Sequence, residues 1–251
     1  MLNPTLYNSP ALLDAQRHQS LRLKQGFKAV CCAQGVNVVF IAANEFEHVC
    51  KEYPIVFVPA GEDKLGRKQM APVAVMGLEQ GENLYFRTSK SGRVGWQARY
   101  IPSFLRYYPF TLGQVDASRW AVCIDEDSEA WSKTTGQPLF DEQGQPSALV
   151  REMHAALQNL EREIEQTRVI GERLRYFDLL QPRVLTTTLP DGSSFAADGF
   201  YTLDEKRLAE LSKMQLAELH RNGSLHALSL HKASLSNLDA LAQRRWKRMK
   251  T

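Results

Sequence analysis

The apolar positions change period several times along the chain, and each change predicts an element. Residues 38–43 form a continuous apolar run, β-branched at Val38, Val39 and Ile41, and read as a strand buried on both faces. Phe46, Val49, Cys50 and Tyr53 then share a helical face, with Asn44 as N-cap, Glu47 three residues on, and Pro54 as the stop. Residues 55–58, 73–76 and 84–86 are three strands separated by turns containing Gly61, Gly66, Gly77 and Gly81, which predicts an antiparallel meander. Residues 120–124 are a further strand, running into the acidic turn Asp125-Glu126-Asp127. The strongest helical signal follows Ser147, where Leu149, Met153, Leu157, Leu160 and Ile164 recur at spacings of three and four. Its phase slips between Thr167 and Gly171 and resumes with Ile170, Leu174 and Phe177, which predicts a bend or a second helix before Pro182.

Beyond Pro182, residues 184–189 and 194–201 flank Pro190-Asp191-Gly192 and predict a β-hairpin. Thr202-Leu203-Asp204-Glu205 matches a capping box that opens a helix through Leu208, Leu211 and Leu219, ended by Asn222-Gly223. Residues 224–230 read as a strand, and Ser236 caps a last helix that ends in the basic run 244–250. Residues 1–20, with Pro4 and Pro10, read as an N-terminal arm anchored by Leu12 and Leu13. The pattern predicts an α+β protein. Its N-terminal part is a largely antiparallel sheet or open barrel, and its C-terminal part is a long helix with a small hairpin-and-helix unit. A boundary at 146/147 would divide it into residues 1–146 and 147–251, unless the long helix lies across the sheet and makes one continuous domain.

No segment is as biased as residues 95–110, which hold six aromatics, two prolines and two arginines. Pro102 can open a helical turn there and Pro109 closes it. Tyr100, Phe104 and Tyr107 would share a packing face, while Ser103 and Arg106 share another that can bind. Arginines among aromatics either pair with acidic neighbours or meet a carboxylate or phosphate ligand.

The net charge of +3 is too small to argue for nucleic acid, but it is unevenly spread. Residues 59–113 hold eight Lys/Arg against four Asp/Glu, and residues 114–165 hold four against eleven. The two stretches either neighbour each other or leave a basic cleft for an anion. The basic C-terminal run, with Trp246 beside it, could grip phosphate, but it also suits a helix C-terminus. Cys31, Cys32, Cys50 and Cys123 have neither CxxC nor zinc-like spacing and read as reduced thiols, so the cytoplasm is the expected compartment. No apolar run reaches membrane length.

Catalytic patterns are equally scarce. The chain has no GxSxG, P-loop, GxGxxG or HExxH, and the acidic turn at Asp125 lacks the alternating ligands of a calcium loop. Ser229-Leu230-His231-Lys232 matches SxxK, but a strand end cannot bring that lysine to its serine. His220, His226 and His231 have no acidic partner in the pattern and read as surface or core histidines.

Glu45-Phe46 with Tyr53-Pro54-Ile55-Val56-Phe57, then Tyr100-Ile101-Pro102 with Arg106-Tyr107-Tyr108-Pro109-Phe110, resemble the bacterial SapC-like proteins. Val122-Cys123-Ile124-Asp125, Gly136 with Leu139-Phe140, and residues 199–208 extend the resemblance over nearly the whole chain. It implies a link to surface-layer or peptide-export systems, and genes that lie near flavin-dependent halogenases, iron oxygenases and outer-membrane receptors. It assigns no catalytic residue. The expectation is therefore a soluble accessory protein that binds a small molecule, a peptide, or a protein partner among modifying or export enzymes. The residues expected at its surface site are Arg99, Ser103, Arg106, Tyr108 and Asp125, with no metal and no cofactor. The rival is an enzyme of unrecognised type on a small molecule or peptide, with Arg99, Arg106 and Asp125 lining its pocket.

Overall fold

A computed structural model describes residues 6–62, 65–89, 91–116, 120–189 and 192–250. The chain begins with β1 (Pro10–Leu12), α1 (Ala15–His18), β2 (Arg22–Leu23), a 3-10 turn at Ala29–Ala33, and β3 (Val38–Phe40). A second 3-10 turn at Ala43–Glu45 leads into α2 (Phe46–Val49), β4 (Ile55–Glu62), β5 (Lys68–Val75), β6 (Phe86–Thr88) and β7 (Val94–Trp96). Next come α3 (Ser103–Arg106), β8 (Phe110–Gln114), β9 (Trp120–Asp125), β10 (Trp131–Ser132) and β11 (Gln137–Pro138). The long helix α4 (Ala148–Tyr176) precedes β12 (Leu180–Thr188), β13 (Ser194–Leu203), α5 (Glu205–Ala209), α6 (Lys213–Arg221), α7 (Ser224–Ser234) and α8 (Asn237–Met249). This is the expected α+β architecture, and its larger sheets pair antiparallel. No described helix is long and apolar enough to cross a membrane.

The chain divides into two compact units, each assembled from three separate stretches. Unit one comprises residues 1–33, 88–95 and 103–162. Its main sheet has the order β1-β9-β8, with Pro10 opposite Asp125 and Phe110 opposite Ile124. Phe110, Leu112, Val122 and Ile124 from that sheet form a core with Leu139 and Phe140, and with Val150 and Leu157 from the first half of α4. Leu139 and Phe140 thus anchor their Gly/Pro-rich loop as the sequence predicts.

Unit two comprises residues 34–87, 96–102 and 163–251. Its open five-stranded sheet has the order β12-β13-β4-β5-β3. Phe57, Met70 and Leu203 from the sheet pack with Leu174, Leu219 and Leu228 from the helices and with Phe177 and Leu211 just beyond helix ends. Two polar side chains pin α7 to β4: the Ser234 hydroxyl accepts from Ile55 N–H at 2.8 Å, and the buried His231 Nδ1 lies 2.7 Å from the Ile55 carbonyl. Nε2 of His231 accepts from Leu203 N–H at 3.2 Å, so Nδ1 carries the proton.

Several elements differ from the sequence reading. Residues 224–230 are helix, not strand: α7 buries Ser224, Ala227, Leu228, His231 and Ser234, a helical spacing. The stretch contains no β-branched or aromatic residue, which is the signal the alternating reading overlooked. The helix predicted from Thr202 is two helices. Asp204, not Thr202, caps α5, with its Oδ1 accepting from Lys206 and Arg207 N–H, and Ser212 opens α6 in a capping box with Gln215. The 3-10 turn that leads into α2 is capped by Glu45, which accepts from Ala42 N–H at 2.9 Å, and Glu45 rather than Asn44 is the N-cap residue of α2, without a side-chain capping bond there. β6 pairs with β7, so the meander stops after β5. The turn residues Pro190 and Asp191 lie outside the described residues.

Helix α4 runs unbroken through the predicted slip at residues 167–171. Its buried stripe continues through Thr167, Gly171 and Leu174, with two non-apolar residues standing where apolar ones were sought. The Thr167 hydroxyl donates to Glu163 O and accepts from Ala43 N–H, both at 2.7 Å. A Cβ at Gly171 would lie 2.2 Å from Met70 O, so glycine permits close approach of the helix to β5.

Candidate functional site

The aromatic segment contributes to both units and is organised differently in each. In unit one, the segment forms the single turn α3, whose Phe104 and Leu105 are buried while Arg106 is exposed. Arg106 Nη2 donates to Ser103 Oγ at 2.9 Å, and its guanidinium lies 5.6 Å from the Tyr107 ring centroid. Beyond the turn, the Tyr108 hydroxyl donates to Asp125 Oδ2 at 2.9 Å. The fully buried Asp125 also accepts from Ser9 N–H at 2.8 Å and Asn8 N–H at 3.2 Å, which ties the N-terminal arm to the end of β9. Tyr7 completes the tie by donating to Phe110 O at 2.9 Å. Burial, reinforced by Asp125, pushes the Tyr108 hydroxyl well above the ordinary tyrosine range.

In unit two, residues 96–102 fold onto α2 and the turn after it. Both Glu52 oxygens accept from Arg99 N–H at 2.9 Å, and Oε2 also accepts from Tyr100 N–H. The Tyr100 hydroxyl donates to Glu45 Oε1 at 2.8 Å, and its ring stacks on His48 at 5.1 Å. Tyr53 donates to Tyr100 O at 2.6 Å and accepts from Trp96 Nε1 at 2.8 Å. The buried Tyr85 ring sits 4.4 Å from Tyr53 and 6.0 Å from Trp96, its hydroxyl donating to Glu52 O, with Arg244 4.4 Å over its face. Burial drives the hydroxyls of Tyr53 and Tyr85 far above their ordinary values.

Of the five residues expected at a surface site, the structure joins two pairs: Ser103 with Arg106, and Tyr108 with Asp125. Arg99 belongs to the other unit and is exposed. Sequence reasoning missed Glu45, Glu52 and Tyr85 as partners of the segment, although Glu45 and Tyr53 stand among the residues that carry the family resemblance.

The basic C-terminal run is docked. Arg244 Nη2 donates to Gln97 O at 3.1 Å, and Arg248 Nη1 donates to Asn83 O at 2.8 Å. Arg245 bridges Glu79 and Glu82 at 2.7 and 3.0 Å, with its side chain 13% exposed. These cations therefore hold α8 on unit two. Ser229 and Lys232 do share a helix, contrary to the sequence reading, but Ser229 Oγ donates to Leu225 O and Lys232 pairs with Glu205. Among the described residues, no three His, Cys, Asp or Glu side chains are placed to hold a metal ion.

A cleft of about 380 Å³, which the sequence did not suggest, opens in unit two. The turn at Ala43–Glu45 forms one wall, α4 from Glu163 to Ile170 another, and the corner between α6 and α7 closes it. Gly223 makes that corner with φ +80, a left-handed conformation that side chains resist. Val169, Ile170 and Ala227 give the cleft apolar walls. The solvent-exposed amides of Asn44 and Gln166, which form no hydrogen bond with the described residues, stand at its rim. His226 lines it as well, 3.3 Å from Glu47. Such apolar walls with a few polar groups are the usual make-up of a ligand site.

A family model described as SapC matches residues 13–241. No curated protein and no solved structure matches the chain.

Proposed function

The chain belongs to the SapC family, and on that premise we propose that it is an accessory protein which binds a small molecule or short peptide in the cleft beside Asn44 and His226. The observation that carries this reading is the pairing of apolar walls with two solvent-facing amides at the rim of a space of about 380 Å³. That volume suits a ligand with an apolar body and one hydrogen-bonding end. The polar groups of the aromatic segment are otherwise occupied: both oxygens of Asp125 and both of Glu52 already accept hydrogen bonds. They support a framework role more than a reaction.

A second reading keeps the ligand at the aromatic segment, and the exposure of Arg106 favours it. Ser103 would then orient the guanidinium toward a carboxylate or phosphate. One experiment separates the two. Protein is purified from its native host and denatured, and the released small molecules are identified by mass spectrometry for wild type, Ala227→Trp and Arg106→Ala. The cleft reading expects a stoichiometric molecule that Ala227→Trp loses and Arg106→Ala retains. The reverse result moves the site to Arg106, and release from none of the three overturns both.

A further inference from the structure

A second cavity, of about 210 Å³, lies in unit two between the β12–β13 hairpin and helices α7 and α8. Arg183, Thr186, Thr202, Glu205, His231 and Lys232 line it. Its chemistry differs from that of the first cleft: two cations, one carboxylate, two hydroxyls and a neutral buried imidazole, set among valine and leucine side chains, surround a space too small for a large organic ligand.

Three features of this cavity bear on what it could hold. Arg183 has the strand parity of the buried Leu185, Thr187 and Leu189 but is itself exposed, and its guanidinium forms no hydrogen bond or ion pair with the described residues, which leaves it available to a ligand. Thr202 is 3% exposed, and its hydroxyl also makes no hydrogen bond to them. That hydroxyl is not wholly enclosed, so it meets whatever fills the cavity. The hairpin, moreover, is bulged at this level. Arg183 pairs with Phe200 and Leu185 with Ala197, so Val184 faces both Asp198 and Gly199, and Gly199 takes φ +79. Bulges bend a strand and redirect its side chains, and they recur beside binding sites.

We propose that this cavity binds a small oxyanion, either a phosphate or a carboxylate group, gripped by Arg183 and Lys232 with hydrogen bonds from Thr186 and Thr202. Arg183 offers the planar donor fork that suits either group. Lys232 is held at 2.6 Å by Glu205, but both side chains are more than half exposed, so the pair is weak and open to exchange for a ligand. Glu205 then acts as a competitor for the lysine. This site is independent of the cleft beside Asn44 and of whatever binds there.

Calorimetric titration of the full chain with inorganic phosphate, and separately with succinate, against chloride at matched ionic strength tests the proposal. Saturable binding of at least one probe is expected. Arg183→Ala should weaken it at least tenfold, Arg183→Lys less so, and Glu205→Gln should tighten it severalfold, with circular dichroism unchanged. The His231 imidazole resonances should shift along the same isotherm, which places the probe in this cavity. The stronger of the two probes identifies the group recognised. Heats that never saturate for either probe, or saturable binding indifferent to Arg183→Ala and Glu205→Gln, would overturn it; Arg183 would then only guard the edge strand β12 against pairing.

Discussion

Asp125 and His231 show how the same residue type is read differently once its neighbours are known. Asp125 stands in an acidic turn that suggests a solvated loop or an exposed site. In the structure its carboxylate is enclosed and holds Asn8, Ser9 and Tyr108. His231, one of three histidines in a short C-terminal stretch, donates to Ile55 O and accepts from Leu203 N–H. Burial pushes its imidazole down to about 4, and the hydrogen bond to Ile55 offsets this only in part. An unfolded histidine titrates near 6.5, so above that pH both states are neutral and the contribution is complete. As pH falls from about 6.5 to about 4, the unfolded chain takes up a proton that the native state refuses. Stability should drop by roughly 3 kcal/mol from this group across that window and change no further below it. Urea unfolding of wild type and His231→Asn at pH 7 and pH 5 checks this: the variant starts less stable, and its loss between the two pH values should be smaller.

At the scale of elements, the errors of sequence reading have local causes. α4 reads as interrupted because Thr167 and Gly171 occupy its buried stripe, yet each is there for a tertiary contact: a hydroxyl for Ala43 N–H, and the absence of a side chain for Met70 O. Gly171→Ala distinguishes this account from plain helix propensity. Propensity alone predicts a gain of about 1 kcal/mol. The 2.2 Å approach to a backbone oxygen predicts a loss of about 2 kcal/mol or more, since α4 and β5 must separate. Chemical denaturation gives the sign directly. The misread strand at α7 has a different cause: within residues 224–230, Leu228 and Leu230 fit a period of two while Leu225 and Leu228 fit a helical spacing, and only the missing β-branched residues decide.

At the scale of the whole molecule, neither compact unit is a continuous piece of chain. The core of unit one needs Val150 and Leu157 beside Phe110 and Ile124, and the core of unit two needs Phe57 and Met70 beside Leu174, Phe177 and Leu228. Cutting at 146/147 is therefore expected to yield two fragments without cooperative urea transitions. A sharp transition for residues 1–146 alone would show that the first core closes without α4. Much of the fold was nonetheless legible. Strand β3, the hairpin β12–β13, the first half of α4 and the burial of Leu139 and Phe140 follow from alternation, helical spacing and turn residues. These are properties of neighbouring residues, and neighbouring residues are what a sequence displays. The family resemblance was legible for the same reason, since it rests on short runs in fixed order. Tertiary structure alone decided which donors meet which acceptors: Asn8 reaches Asp125 across 117 positions, and Glu52 takes up the main chain of Arg99 and Tyr100. It also decided where space remains, beside Asn44 and beside Arg183. Those outcomes depend on closing long loops and packing distant elements together, and no local pattern of hydrophobic and polar residues encodes them.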